Sequence, residues 1–494
     1  MSAIPLAPYA PDVASVDAAV SAIAQNVVPR ADGYAPIPAP VPITSALPDP
    51  CRGAIAVVSP AFGTTRYYAG TARGLFRYDG LGGWADASNP GRTYSIPTDD
   101  SWSFALYGSR LVATSANTPP QVIDIDAGKI FADLGGGPPR ARLVSIVGEF
   151  LILGGLASDP NSVQWSDLGD PESWPLGVQN GHEGDLQILP DGGAVTGFAG
   201  GESGLVFQER AIRRMTFSGG STIFDFSVLE ENRGAVSPSA VAKAGGRVFF
   251  LDRDGFYAFP YAGSASVPIG AERVNRTFLD RVDPNHIGAT VAVRDATGPR
   301  ILFAYRTRSA PTGDPTLRDE GLVYDWLLDR WAGPITIQLR AGLTAATPAV
   351  SIDALPGSID DPSQPSLDDP IYAGGVPALG FVTADNRLSL LTGAPLEAVF
   401  ATAEAMLARP NRAFVTGVRL DSDADDWRVQ VGGREGLGQS AAVAYRPETA
   451  PTVERIAPCR SSARYHRARI RIPAGTAWSY ASGIEVEAVA EGLR

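Results

Sequence analysis

The stretch GGRVFFLDRDGFYAF (245–259) reads as two short strands around a tight turn. RVFFLD (247–252) and FYAF (256–259) are apolar and aromatic, as strand positions favour. The Asp and Gly between them supply turn geometry. Asp bonds nearby backbone, and Gly reaches positive φ without a steric clash.

Two features of this stretch recur along the chain. A Gly, then a basic or acidic residue, then an apolar strand appears again in GSRLVAT (108–114) and GEFLILG (148–154). A second pattern is an aromatic strand, an Asp turn and a closing Trp. It occurs in FRYDGLGGW (76–84), WSDLGDPESW (165–174) and VYDWLLDRW (323–331). The physical sense is a hairpin whose turn is fixed by Asp and Gly while the Trp ring covers its apolar face. Trp84, Trp174 and Trp331 are therefore expected to be structural. Further short β-runs bounded by Gly, Asp and Pro fill the chain from 51 to about 344, among them RYYAGTA (66–72), VQWS (163–166) and ILFAY (301–305). Many short strands without intervening helices indicate a sandwich, a barrel or a propeller. Repeating hairpins favour an all-β fold built as a β-propeller over 51–395. The repeats match neither the WD40 nor the kelch signature, and they do not fix the number of blades.

Composition agrees. The chain has 494 residues, 44% hydrophobic and 19% charged, which permits a large buried core. With 54 Gly and 41 Pro, turns are frequent and a helix bundle is excluded. No apolar run approaches the ~20 residues of a spanning helix, so no membrane insertion is expected. The N-terminus lacks the basic start and apolar stretch of a signal peptide. A net charge of -12 makes the chain a poor wrapper of DNA, since phosphate affinity needs clustered Lys and Arg. Cys51 and Cys459 are the only cysteines and suit neither a disulfide scaffold nor a zinc site.

The ends differ from the middle. Asp12 as N-cap, with Val13, Val16, Val20 and Ile23 spaced for one face, predicts a helix over 12–25. The prolines of PVPITSALPDP (40–50) predict irregular chain. Residues 1–50 thus read as an extended arm lying on another surface. ALPGSIDDPSQPSLDDP (354–370) reads as an acidic, Pro-rich solvated loop within the propeller region. Residues 396–494 read as a separate C-terminal β-domain. In RARIRIP (467–473), Ala468, Ile470 and Ile472 share one strand face, and Arg467, Arg469 and Arg471 the other. That basic face suits an acidic partner, with a solvated strand face as the plainer alternative.

Chemistry-bearing motifs are few. His182, Glu183 and Asp185 (HEGD) lack the second His of a metalloprotease helix, and Gly181 and Gly184 favour a turn. Asp421, Asp423, Asp425 and Asp426 resemble half of a calcium loop, but its sixth position is Asp426 and its twelfth Gly432. A charged hairpin turn is the simpler reading. There is no GxSxG, no P-loop and no dinucleotide fingerprint before a helix. No catalytic residue, metal or cofactor is expected.

Three stretches together resemble the tail proteins of double-stranded DNA bacteriophages, above all the β-propeller nozzle or tail-hub proteins of short-tailed phages. The first is NVVPRADGYAPIP (26–38). The second comprises SVQWSDLGDPESW (162–174), GDLQILPDGGAVTGFAGGESGLVFQERAIRRMTF (184–217) and ENRGAVSPSAVAKAGGRVFFLDRDGFYAF (231–259). The third is ARYHRARIRIPAGTAWSYASGIEVEAVAEGLR (463–494). They cover about half the chain, in the family's order. The resemblance implies a non-enzymatic virion protein in a homo-oligomeric ring, commonly a hexamer, that conducts and retains DNA before ejection. It also implies contacts with adjacent tail, adaptor or fibre proteins and assembly in the bacterial cytoplasm. An acidic chain suits a conduit, because basic walls would hold passing DNA. Two other classes compete. One is a propeller glycoside hydrolase or depolymerase acting on host surface polysaccharide through paired carboxylates. The other is a monomeric propeller acting as a cellular binding module.

Overall fold

The structure, a computed structural model, describes residues 2–13, 19–177, 182–219, 222–311, 314–348, 374–436 and 443–492. The acidic loop expected at 354–370 lies outside the described residues.

The described residues between 38 and 395 form a β-propeller of seven antiparallel blades. Six are separate four-stranded sheets, and the seventh is the first four strands of a nine-stranded sheet. In chain order the blades lie at 51–86, 103–133, 141–188, 195–231, 241–268, 291–335 and 339–395. We number them 1 to 7. The first strand of each blade is innermost and touches the first strand of the next, and Leu339–Ala346 touches Cys51–Val58 to close the ring. The core is correspondingly divided into layers between blades. Tyr68, Leu75, Leu111 and Ile123 pack blade 1 on blade 2, and Phe207, Ile212, Phe250 and Phe259 pack blade 4 on blade 5.

The quoted stretch forms the middle hairpin of blade 5, Arg247–Asp252 against Gly255–Pro260. Two of the three Trp-closed pieces are hairpins as well, whereas 165–174 is not: the strand Ser162–Trp165 ends at its first Trp, the rest is turn, and the next strand starts only at Asp185. Asp79 Oδ1 accepts the N–H groups of Leu81 and Gly83 at 2.7 and 2.8 Å, folding the turn that brings Trp84 opposite Tyr78. Asp325 Oδ1 does the same for Leu327 and Leu328 at 3.0 and 2.9 Å, and Trp331 lies opposite Tyr324.

The first fifty residues correct two expectations. No helix forms in the described parts of 12–25. Residues 19–23 are irregular, with a β-bridge at Ser21, and Ala24–Gln25 is a strand wedged between blade 6 and Ala398–Ala401. Ser21 is buried and its Oγ donates to Ala401 O at 2.7 Å, so tertiary hydrogen bonds override the helical spacing. Residues 14–18 of that predicted helix lie outside the described residues. Asp12 does cap a helix, but a different one. Its carboxylate accepts the N–H groups of Arg276 and Thr277 in the first turn of Asn275–Arg281, at 2.7 and 2.9 Å.

The proline-rich segment 40–50 is irregular from 43 onward as expected, but its first three residues belong to a regular strand. Pro38–Pro42 is the outer strand of blade 7, with Val41 opposite Leu390 and Pro42 opposite Ser389. Ile43 N–H donates to Leu388 O at 2.8 Å, so the odd-numbered residues face the partner strand. Pro38, Pro40 and Pro42 fall on the outward side, where an edge strand needs no donor. Finally, the described part of the arm pairs with strands of its own chain.

Residues 2–36 and 396–490 build a β-sandwich beside blade 6, so the C-terminal domain is not made of 396–494 alone. One sheet contains Val27–Arg30, Gly33–Pro36, Ala481–Ala490, Ala413–Ser422 and Ala457–Ala463, with Ser2–Pro5 on Ala481–Ala490. The other extends blade 6 through Ala24–Gln25 to Ala398–Ala401, Tyr465–Ile472, Arg428–Arg434 and Ala444–Tyr445. Val415, Leu420, Trp427, Ile470, Ile472 and Ile484 fill the space between the sheets. No helix among the described residues is long and apolar enough to cross a membrane.

Candidate functional site at the channel mouth

The innermost strands enclose an axial channel. At the face where one blade connects to the next, it holds a cavity of about 640 Å³. In blades 1, 3 and 7 the second residue of the innermost strand is an arginine: Arg52 in Cys51–Val58, Arg142 in Ala141–Val147 and Arg340 in Leu339–Ala346. All three line the cavity, and a connection within blade 6 adds Arg318. The lining carboxylates are Asp99 and Asp100. The mouth therefore carries an excess of positive charge in an acidic chain.

These groups are held in defined positions. Arg318 Nε donates to Ala289 O at 2.6 Å, and its Nη1 donates to Thr316 O at 2.7 Å and to Arg340 O. Arg340 pairs with Asp314, which lies just behind the lining, and donates to Thr316 Oγ1 at 2.8 Å. Asp100 is buried, accepts the N–H groups of Ser101 and Ala116 at 2.9 and 3.1 Å, and lies 3.5 Å from Arg142. His286 is held by Asp283 at 2.8 Å. Burial, with the like charges of Arg340 and Arg52 adding to it, lowers the pKa of Arg318 to about 10. Desolvation lowers that of Arg52 in the same direction. Burial also pushes the Cys51 thiol up to about 11. Cys51 and Cys459 are both buried and free.

The residues expected from sequence to be structural or interacting lie elsewhere and are not brought together. Trp331 is 1% exposed, donates Nε1–H to Ile269 O at 2.8 Å and packs on Phe256 and Tyr324 at 5.1 and 4.8 Å between ring centres. Trp174 sits in the turn after the third strand of blade 3, 9% exposed, with its N–H on Pro171 O at 3.0 Å. Trp84 is only half-buried and bonds Thr44 of the N-terminal segment at 3.1 Å. Arg467, Arg469 and Arg471 alternate along Tyr465–Ile472, with Ala468, Ile470 and Ile472 buried on the opposite face. Arg471 binds Glu448 at 2.6 Å and Glu397 at 3.2 Å, and Arg467 lies 3.9 Å from Glu404. Two of the three are thus close to carboxylates of the same chain.

The HEGD and DSDADD motifs are tied into the fold by hydrogen bonds. His182 Nδ1 lies 2.6 Å from Asp167 Oδ2, and Glu183 N–H donates to Asp167 Oδ1 at 2.7 Å. Burial opposes ionisation of Asp167, but these hydrogen bonds outweigh it and lower its pKa. Asp185 opens the strand Asp185–Ile188. Asp423 accepts Ser479 N–H at 2.9 Å and Ser479 Oγ–H at 2.7 Å, tying one sandwich loop to another. Among the described residues no group of three or more His, Cys, Asp or Glu could hold a metal ion.

The mouth arginines were not singled out from sequence. Their signal is an Arg at the second position of an inner strand, which is visible only once the blade phase is known.

No family model and no curated protein matches the chain. Among solved structures it is similar to the β-propeller domain of Myceliophteria thermophila Cps50 (Swd1), at 9% identity over 71% of this chain and 99% of that one, with a TM-score of 0.41. It is also similar to the computationally designed Ika8 protein, at 11% identity over 71% of this chain and 99% of that one, with a TM-score of 0.38. A functionally unknown protein from Desulfotomaculum acetoxidans shares 12% identity over 58% of this chain and 86% of its own, with a TM-score of 0.37. The propeller itself is defined by the strand order and the ring closure described above.

Proposed function

We propose that this chain is a structural subunit of a bacteriophage tail, a nozzle or hub protein that assembles into a homo-oligomeric ring, conducts and retains DNA, and performs no catalysis. The observation that carries this reading is the ordered set of stretches resembling that family: NVVPRADGYAPIP, the middle run from SVQWSDLGDPESW to FLDRDGFYAF, and the closing ARYHRARIRIP segment. It is supported by how the two ends of that set meet. Tyr34 of the first stretch pairs with Ala481 of the last, so stretches from opposite ends of the chain form one sheet. The middle run spans blades 3 to 5 of a single propeller.

The competing hydrolase reading needs two carboxylates facing one another across a pocket. At the channel mouth the lining carboxylates are sequence neighbours, Asp99 and Asp100, and Asp100 is already committed to Arg142 and backbone N–H groups. The structural reading therefore has the better support.

The test is to label virions with an antibody against the purified protein and, separately, to image the protein mixed with its tail partners. Decoration of one end of the tail and closed rings are the expected results. A protein that stays monomeric with its partners, or is missing from virions, overturns the reading.

A further inference from the structure

The channel mouth gathers positive charge that the chain does not neutralise. Of the carboxylates there, Asp100 is taken by Arg142 and Asp314 by Arg340, and Asp99 is exposed at the rim. Arg52 and Arg318 have no carboxylate partner among the described residues. Arg52 uses Nη1 on Thr98 O at 3.1 Å, while its Nε is buried without an acceptor among the described residues. Arg318 is fixed by carbonyls of three separate residues, which orients its guanidinium, while the nearby Asp314 makes its direct contacts with Arg340 and Thr316 instead. Both arginines are half-buried; partial desolvation of a cation is costly, and an anion entering the cavity would relieve that cost.

We propose that Arg52 and Arg318, with Arg340 beside them, form an oxyanion site at the channel mouth that takes a phosphate group carried on a small molecule. Guanidinium forks match the tetrahedral oxygens of phosphate and can bind them in pairs. Two cations without a direct carboxylate partner suit a doubly charged group better than a single carboxylate. At about 640 Å³ the cavity falls within the range of small-molecule sites, roughly 300–1,000 Å³, and leaves room for the body of the ligand. The depressed pKa of Arg318 agrees with this picture, because a bound anion would restore its ordinary basicity. The site belongs to a single chain and stands independently of ring assembly.

The test is calorimetric titration of the full chain with inorganic phosphate at constant ionic strength, followed by glycerol phosphate and succinate. Saturable binding of both phosphates is expected, with succinate at least about tenfold weaker. Arg52→Ala should weaken phosphate binding by about tenfold or more, the effect of losing a charge-assisted contact. Phosphate should raise the melting temperature of the parent and not that of the variant. Arg210→Ala, at an exposed position on blade 4, should bind as the parent does. If Arg52→Ala fails to fold, Arg52→Gln carries the same test. Absence of saturable binding, equal binding by the folded Arg52 variant, or equal binding of succinate overturns the proposal.

Discussion

Val41 lies directly opposite Leu390, so the outer strand of the last blade comes from the beginning of the chain. The ring is therefore latched by residues from opposite ends of the propeller region. The latch works because its prolines alternate with residues that still carry donors.

Val41→Pro removes a donor on the paired side of that strand. It should destabilise the protein by about 1–3 kcal/mol, whereas Pro40→Ala, on the outward side, should change stability by less than about 1 kcal/mol. Urea unfolding of both variants is the measurement. Equal effects would show that the strand pairs in another register.

Asn26 joins three parts of the molecule. It is buried with φ +54°, donates to Glu397 O at 2.9 Å and accepts Thr336 N–H at 2.8 Å. Asn26→Ala loses both bonds and puts Ala in a left-handed conformation. The expected loss is about 2–4 kcal/mol. A variant as stable as the parent in chemical denaturation would contradict this role.

The tryptophans should rank by burial. Trp331→Ala should cost about 3–5 kcal/mol, because a fully buried ring leaves a cavity. Trp84→Ala should cost clearly less, since its ring is half-exposed. Melting temperatures in the reverse order would show that the arm, through Thr44, depends on Trp84 more than burial indicates.

His466 gives stability a pH dependence. It is 4% exposed, its Nδ1 has no hydrogen-bond partner among the described residues, and burial lowers its pKa below the ordinary value of 6.5. The unfolded chain then binds its proton first as pH falls. The stability contribution is whole above about pH 6.5 and is lost as pH drops towards the folded-state value. Denaturation midpoints at pH 7.5 and 5.5 should therefore fall more steeply for the parent than for His466→Asn. Parallel slopes would place the pH effect on other groups.

Arg471 is exposed enough for salt to screen its pairs with Glu448 and Glu397. Arg471→Ala should cost no more than about 1 kcal/mol, and less in high salt. A larger, salt-independent loss would mean that the guanidinium stem packs as part of the sandwich.

Local chemistry made the blades legible in the sequence. Turn aspartates such as Asp79 and Asp325 act on N–H groups two to four residues away, and the alternation of Ala468, Ile470 and Ile472 marks a strand face without reference to any partner. Those signals lie within a few residues, so the string of amino acids determines them. What only the tertiary structure decided is everything that joins distant residues. Pro38–Pro42 looks irregular until a partner strand shows which residues need donors. Asp12 reads as a cap, but which helix it caps depends on where the arm is laid. Gly33, at φ +153°, has no room for a side chain because Ala481 O lies 2.0 Å from where its Cβ would be. The mouth arginines meet only because the ring closes and brings Arg52, Arg318 and Arg340 from the first, sixth and seventh blades to one cavity. Charge convergence depends on distance in space, and the local pattern of a strand does not contain that distance.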